Sequence, residues 1–336
     1  MYYLSYCDLV NPLMLVDTHE RAFFYVRLSI TDACNFKCNY CLPNGYRKTQ
    51  SHDFLSLSEI SRLARGLAQA GVRKIRITGG EPALRKDLTE IINLVAQTPG
   101  IEEVALTTNG FNLLQNIDAW HAAGLTQLNV SIDSLDPNQF ALITGSNKHQ
   151  AILDGIYRAL ARGLPTKVNT VLLKQYNLHQ WYQFLAWVKD TPISLRFIEL
   201  MQTGDNATFF ADNHVRGEQF LGHLQKRGWQ LSPRSATAGP ALELAHPEYQ
   251  GNLGFILPYS DDFCASCNRL RITARGALHA CLFAEEGQSL RHLLQNDSDI
   301  PQLETWLQGQ LQHKTATHGL HQANPGSTSH LAMLGG

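Results

Sequence analysis

Three cysteines, Cys34, Cys38 and Cys41, stand at C-x3-C-x2-C spacing directly after a strand-like run from Tyr25 to Thr31. Thiolates packed this closely let one loop wrap around one iron–sulfur cube. A cube has four irons, so three thiolates leave one iron without a protein ligand, and an open iron can bind and activate a small molecule. Zinc and redox dithiols also use C-x2-C halves. A zinc site would need a fourth ligand, and the nearest candidate, His52, lies beyond a Pro-Asn-Gly turn.

A second trio, Cys264-x2-Cys267-x13-Cys281, offers the same donors again. Zinc is a stronger competitor here, because His279 could complete a Cys3His set. His279 and Cys281 are separated by one residue on a strand-like run, which is less usual for zinc knuckles, so both readings stand at this point. Between the second and third of these cysteines lie Arg269, Arg271 and Arg275, the first two spaced for one strand face. Guanidinium forks beside thiolates point to a polyanionic ligand. Arg76 and Lys167, on other strand-like runs, add to the same charge, and Arg27 would face the lumen if its strand belonged to a barrel. Gly79-Gly80-Glu81-Pro82 also follows a strand. It reads either as an ordinary β/α turn or as a place where backbone approaches a ligand and a buried glutamate meets an amine.

The elements that must position these residues alternate. Tyr25–Thr31 is a strand with Val26, Leu28 and Ile30 on one face. Ser56-Leu57-Ser58-Glu59 is a capping box that opens a helix carrying Leu57, Ile60, Leu63 and Leu67 on one stripe, closed by Gly71. Strands are expected near 72–78, 103–107, 127–132, 166–172 and 194–200, with helices near 88–95, 112–123, 149–162 and 178–189 between them. Asp87 with Glu90 reads as a second helix cap. Alternating strands and helices imply a parallel sheet with right-handed crossovers, and the polar motifs fall at the carboxyl ends of its strands. The fold class is α/β: a partial (β/α)6 TIM-like barrel over residues 25–219, preceded by an extended lead-in, 1–24. A cap, 220–336, carries the second trio and a tail, extended from about residue 314, that ends in Gly335-Gly336.

With 336 residues, 44% apolar and 17% charged, the chain is an ordinary globular protein by composition. A formal net charge of −1 argues against a broadly basic surface for nucleic acid, so anion binding must be local. No run approaches the roughly 18 apolar residues of a membrane span, and no secretory signal is evident, which leads us to expect a cytoplasmic protein. The seven cysteines form two trios with Cys7 left over as an inert thiol, a pattern of metal chemistry in a reducing compartment rather than of disulfides.

Around Cys34–Cys41, with Tyr40 in the aromatic position, the sequence resembles the radical S-adenosylmethionine (SAM) enzymes. Across almost its whole length it resembles, more narrowly, the GTP 3′,8-cyclases of molybdenum cofactor biosynthesis. The residues that carry this are Arg-Leu-Ser-Ile-Thr-Asp-x-Cys, Ile-Thr-Gly-Gly-Glu-Pro, Thr-Thr-Asn-Gly, Arg-Phe-Ile-Glu-Leu-Met, Phe-Cys-x-x-Cys-Asn-Arg-Leu-Arg and the terminal Gly-Gly. The resemblance implies two 4Fe–4S clusters, one on Cys34, Cys38 and Cys41 and one on Cys264, Cys267 and Cys281. It implies SAM against Tyr40, Gly80, Ser131 and Met201, and GTP against Arg27, Arg76, Thr107, Lys167, Arg269 and Arg271, the last two also in catalytic roles. A 5′-deoxyadenosyl radical would take hydrogen from ribose carbon 3′, and that carbon would then add to guanine carbon 8. A one-electron reductant protein and a homodimer are implied as partners, with no nucleic acid or membrane. The rival readings are a peptide-maturing twin-cluster radical SAM enzyme and a zinc-stabilised binding protein.

Overall fold

The structure, a computed structural model, describes residues 14–47, 53–234, 238–284, 286–322, 324–326, 328 and 331–335. Cys7, His52, Gly336 and most of the expected lead-in lie outside the described residues.

The first two-thirds of the chain alternate as expected. The elements are β1 (Tyr25–Ser29), α1 (Leu57–Gln69), β2 (Lys74–Thr78), α2 (Leu88–Ala96), β3 (Glu103–Thr108), α3 (Leu113–Ala122) and β4 (Gln127–Ser131). There follow α4 (Pro137–Thr144), α5 (His149–Ala161), β5 (Thr166–Leu172), α6 (Trp181–Asp190) and β6 (Ser194–Glu199). The remainder holds α7 (Ala207–Asn213), α8 (Glu218–Gln225), β7 (Gln230–Leu231), β8 (Leu242–Ala245), β9 (Asn252–Ile256), β10 (Arg269–Ile272), β11 (Ala277–His279), β12 (Gln288–Ser289) and α9 (Ile300–Leu311).

Helix α1 starts where its capping box predicts. Ser56 Oγ accepts from the Glu59 amide at 3.3 Å, while the Glu59 carboxylate accepts from the Ser56 amide at 2.8 Å. Gly71, at φ 85°, turns the chain out in the left-handed region open to glycine. The second expected cap differs. Asp87 precedes α2 but makes no side-chain cap, because Arg85 takes both carboxylate oxygens, at 2.9 and 2.5 Å.

Strands β1 to β6 pair in parallel and in sequence order, as a partial (β/α)6 barrel requires. The residues that follow do more than lie over its mouth. Strand β10 pairs in parallel with β1, and β9 in parallel with β6, so both edges of the barrel sheet are extended by later chain. Antiparallel hairpins then finish each side, giving the order β12-β11-β10-β1-β2-β3-β4-β5-β6-β9-β8-β7. The core lies between this sheet and the helices, where Val26, Leu28, Ile60, Leu63, Ile75, Ile77, Val104 and Leu106 are buried. Each such side chain contributes about 1.5–3 kcal/mol by leaving water.

The tail is not extended. Gly319–Gln322 and Leu331–Leu334 form single helical turns, and Leu320 and Leu334 are buried with Tyr259, Leu282 and Phe283. Apolar residues spaced through an otherwise polar stretch anchor it.

Candidate active site

The loop after β1 carries the first trio. Cys34, Cys38 and Cys41 lie close enough that the charge of one thiolate acts on another, and burial pushes all three thiols up, Cys41 to about 12. Burial is the largest cause at each. At Cys41 it is opposed by the backbone N–H groups of Leu331 and Ala332, which donate to the sulfur. Tyr40 donates its hydroxyl to Asp133 at 2.8 Å, and the other oxygen of Asp133 accepts from the Val171 amide at 2.9 Å. Burial raises the Asp133 carboxyl to about 6 against both bonds.

The Gly-Gly-Glu-Pro turn is pressed against this loop. The Gly80 amide donates to Thr31 O at 2.8 Å and the Glu81 amide to Ala33 O at 2.7 Å. A Cβ on Gly79 would come within 2.5 Å of Thr31 O, and one on Gly80 would overlap the backbone of Ala33 and Asp32. Among the described residues, no lysine pairs with Glu81. Its carboxyl, fully buried, accepts from Thr108 Oγ1 at 2.7 Å and from the amides of Asn109 and Ala83 at 2.6 and 2.9 Å. Burial outweighs these bonds and raises it to about 7. The glutamate therefore braces the ends of β2 and β3 behind the cysteine loop.

The lumen side of the sheet is cationic. Arg27 stands opposite Arg271 on β10 and opposite Arg76 on β2, a row of guanidiniums across three strands. Burial, with repulsion from Arg271, lowers Arg27 to about 9; Arg76 and Arg271 fall to about 10, again through burial first. Arg76 donates to Thr107 Oγ1 at 3.3 Å and lies over the Tyr25 ring at 5.4 Å. Among the described residues, Arg76 Nε, Arg196 Nε and Arg269 Nη1 are buried donors with no partner. Buried donors left unpaired cost free energy, and an anion satisfies them.

The second trio lies beside this row. Cys264 feels the charges of Cys281 and Cys267. Arg269 donates to Cys267 Sγ at 3.7 Å, and the Phe283 amide donates to Cys281 Sγ at 3.5 Å. Burial would raise Cys267, but Arg269 and then Lys314 outweigh it and bring the thiol down to about 7. His279, the proposed zinc ligand, is paired across the hairpin with Arg271 and packs its ring on Gly287. Two sets of three thiols lining one cavity, with N–H groups aimed at sulfur, suit iron–sulfur groups.

One cavity, open to solvent, is lined by all six of these cysteines, by Tyr40, Gly80, Ser131 and Met201, and by Arg27, Arg76, Thr107, Arg269 and Arg271. Lys167 is the expected residue that does not line it. It pairs with Glu243 at 3.5 Å behind Arg196, and burial lowers it to about 7. Arg275 is likewise elsewhere, paired with Asp32 at 2.8 Å.

Residues 28–188 match the family described as Radical SAM superfamily, and residues 193–320 that described as Molybdenum Cofactor Synthesis C. The GTP 3′,8-cyclase of Actinobacillus pleuropneumoniae serotype 5b is 53% identical over 97% of this chain and 96% of its own. That of Haemophilus ducreyi is 52% identical over 99% and 96%, and that of Vibrio cholerae El Tor Inaba N16961 is 53% identical over 95% and 97%. The chain belongs to the GTP 3′,8-cyclase family. It is a radical SAM enzyme, and the superfamily fold is also that of Streptococcus suis SuiB bound to S-adenosylmethionine. That structure aligns with TM-score 0.57 and 14% identity over 85% of this chain and 69% of that one.

Sequence reasoning missed several lumen residues. Arg196 lines the cavity, is 3% exposed, and bonds Glu243 at 2.6 Å. Its signal was present, since it alternates with Leu195 and Phe197 of the core. Arg21, Asn169 and Lys314 also line the cavity. Arg21 lay in a lead-in of weak periodicity and Lys314 at the start of a tail read as extended, so neither carried a clear pattern.

Proposed function

We propose that the chain cyclises GTP to (8S)-3′,8-cyclo-7,8-dihydroguanosine 5′-triphosphate by radical SAM chemistry, the first step of molybdenum cofactor biosynthesis. The observation that carries this reading is the sharing of one cavity by two thiol trios and six arginines, Arg27, Arg76, Arg269 and Arg271 among them. Cys34, Cys38 and Cys41 hold one 4Fe–4S cluster, Cys264, Cys267 and Cys281 a second, and Tyr40, Gly80, Ser131 and Met201 hold SAM. When bound, these groups supply the electrons and the hydrogen-abstracting radical.

The chain's own residues do the rest. Arg27, Arg76, Arg269 and Arg271 bind the triphosphate, which gives the buried donors of Arg76 and Arg269 partners and relieves the mutual repulsion of the row. Thr107 accepts from Arg76, and Lys167 shares the Glu243 carboxylate with Arg196 at the margin of the same field. Arg269 and Arg271 orient the nucleotide as the catalytic pair. The Arg271 guanidinium also donates to the carbonyls of Leu334 and Gly335 at 3.0 and 3.3 Å, which sets the tail beside the substrate cations and excludes water there. Residues 25–219 thus start the reaction and 220–336 select its target. A one-electron reductant protein supplies the cluster, and a cytoplasmic homodimer is the working state.

The test is 5′-deoxyadenosine formation by anaerobically reconstituted, reduced enzyme with SAM. GTP should stimulate it at least tenfold. Stimulation by a peptide and not by GTP, or zinc in place of iron and sulfide, overturns the reading.

A further inference from the structure

Lys314 has no part in the reaction as set out above, yet it is 5% exposed and lines the shared cavity. Its ammonium donates to the carbonyl of Ala280, the residue before Cys281. It also lies 5.6 Å from the centre of the Phe23 ring. Among the described residues it forms no ion pair with a carboxylate, and Asp17 is taken by Arg21 at 2.6 Å. A buried ammonium with only a carbonyl and an aromatic face for company needs an anion nearby.

The position of Lys314 is fixed from both sides. Arg21 donates to the carbonyls of Thr315 and Ala316, each at 2.7 Å, and to that of Cys264 at 3.1 Å. One guanidinium therefore ties the segment carrying Lys314 to the loop carrying the second trio. The charge of Lys314 is felt at both Cys264 and Cys267. Three other cations reach this trio: Arg269 and Arg271 belong to the substrate-facing strand β10, and Arg234 is bound to Ser266. Lys314 lies off that strand and, among the described residues, has no such hydrogen-bonded side chain.

Resting on the function proposed above, we infer that the Lys314 ammonium is the dedicated counter-charge of the iron–sulfur group on Cys264, Cys267 and Cys281, holding it in place and setting its reduction potential. A cluster on three thiolates is anionic and gains a further negative charge on reduction. A fixed buried cation stabilises the reduced form more than the oxidised one and so raises the potential. Lys314 acts through the cluster and is a positioning residue.

The test compares Lys314→Met and Lys314→Arg with wild type as reconstituted full-length enzyme. The measurements are iron and sulfide content, and a redox titration followed by the paramagnetic signal that SAM does not perturb. At fixed potential, Lys314→Met should lower the reduced-to-oxidised ratio of that cluster about tenfold, a shift of about 59 mV for one electron. Lys314→Arg should stay near wild type. Loss of the second cluster's iron in Lys314→Met with retention in Lys314→Arg also supports the inference. Unchanged potential and iron in Lys314→Met overturns it, as does equal loss in both variants, which would make the contact one of packing rather than charge. Wild-type enzyme that binds only one cluster overturns the functional reading itself, and iron counting on wild type alone reveals that case.

Discussion

Gly80 shows how a residue can be placed by the sequence for one reason and by the structure for another. Beside a strand end its type suggested room for a ligand, but the nearest atoms to a Cβ there belong to Asp32 and Ala33. Those residues lead into Cys34, so added bulk must displace the cysteine loop. Gly80→Ala should cost about 2 kcal/mol or more, as overpacking against rigid backbone does, and should reduce the iron bound at the first trio. Urea denaturation and iron counting check both, and wild-type values in each would mean that the loop yields freely. The charged residues divide in the same way. Arg27, Arg269 and Arg271 were legible because strand alternation sends them away from Val26, Leu270 and Ile272. The diversion of Lys167 to Glu243 was not, because β8 is distant in sequence and meets the lumen only through the completed sheet.

Helix α1 ties the two parts of the chain together, through Arg62 and Arg65 to Asp297 and through the carboxylate of Glu59. Glu59 caps the helix and also accepts from Arg291 Nε at 2.7 Å and Nη2 at 3.1 Å. Burial would raise its carboxyl, but the bonds from Arg291 and Ser56 prevail and hold it at about 2, below the ordinary 4.5. A lowered folded-state value means stability that is present above pH 4.5 and lost as pH falls toward 2. Glu59→Gln should destabilise the protein by about 1–3 kcal/mol at pH 7 and flatten the acid limb of stability between those values. Denaturation midpoints at pH 7, 4.5 and 3 measure this, and parallel pH curves for both proteins would show that Glu59 carries none of the slope. The elements with strong periodicity were readable in this region, α1 by its cap and stripe and β5 by its alternation. Helix α4 was missed because Pro137–Thr144 is short, and its start depends on Asp136 accepting from the Gln139 amide at 2.7 Å. The two-residue strands β7 and β12 carry no local signal at all; pairing with β8 and β11 defines them.

At the scale of the whole molecule, the tail reaches back to both chemical centres. The amides of Leu331 and Ala332 point to Cys41, while Arg271 holds the carbonyls of Leu334 and Gly335. Removing residues 331–336 should abolish most GTP-dependent turnover and lower the melting temperature by a few degrees, on the order of what one buried leucine contributes. Circular dichroism should keep its wild-type shape, and unchanged turnover would make the tail a passive end. The placement of β9 and β10 bears on how the protein comes into being. Until residues 252–256 and 269–272 have left the ribosome, β1 and β6 each present an unpaired edge. The nascent barrel is thus complete in sequence long before it is closed to association with neighbours. Synthesis of the last quarter of the chain is the step at which it becomes safe from aggregation.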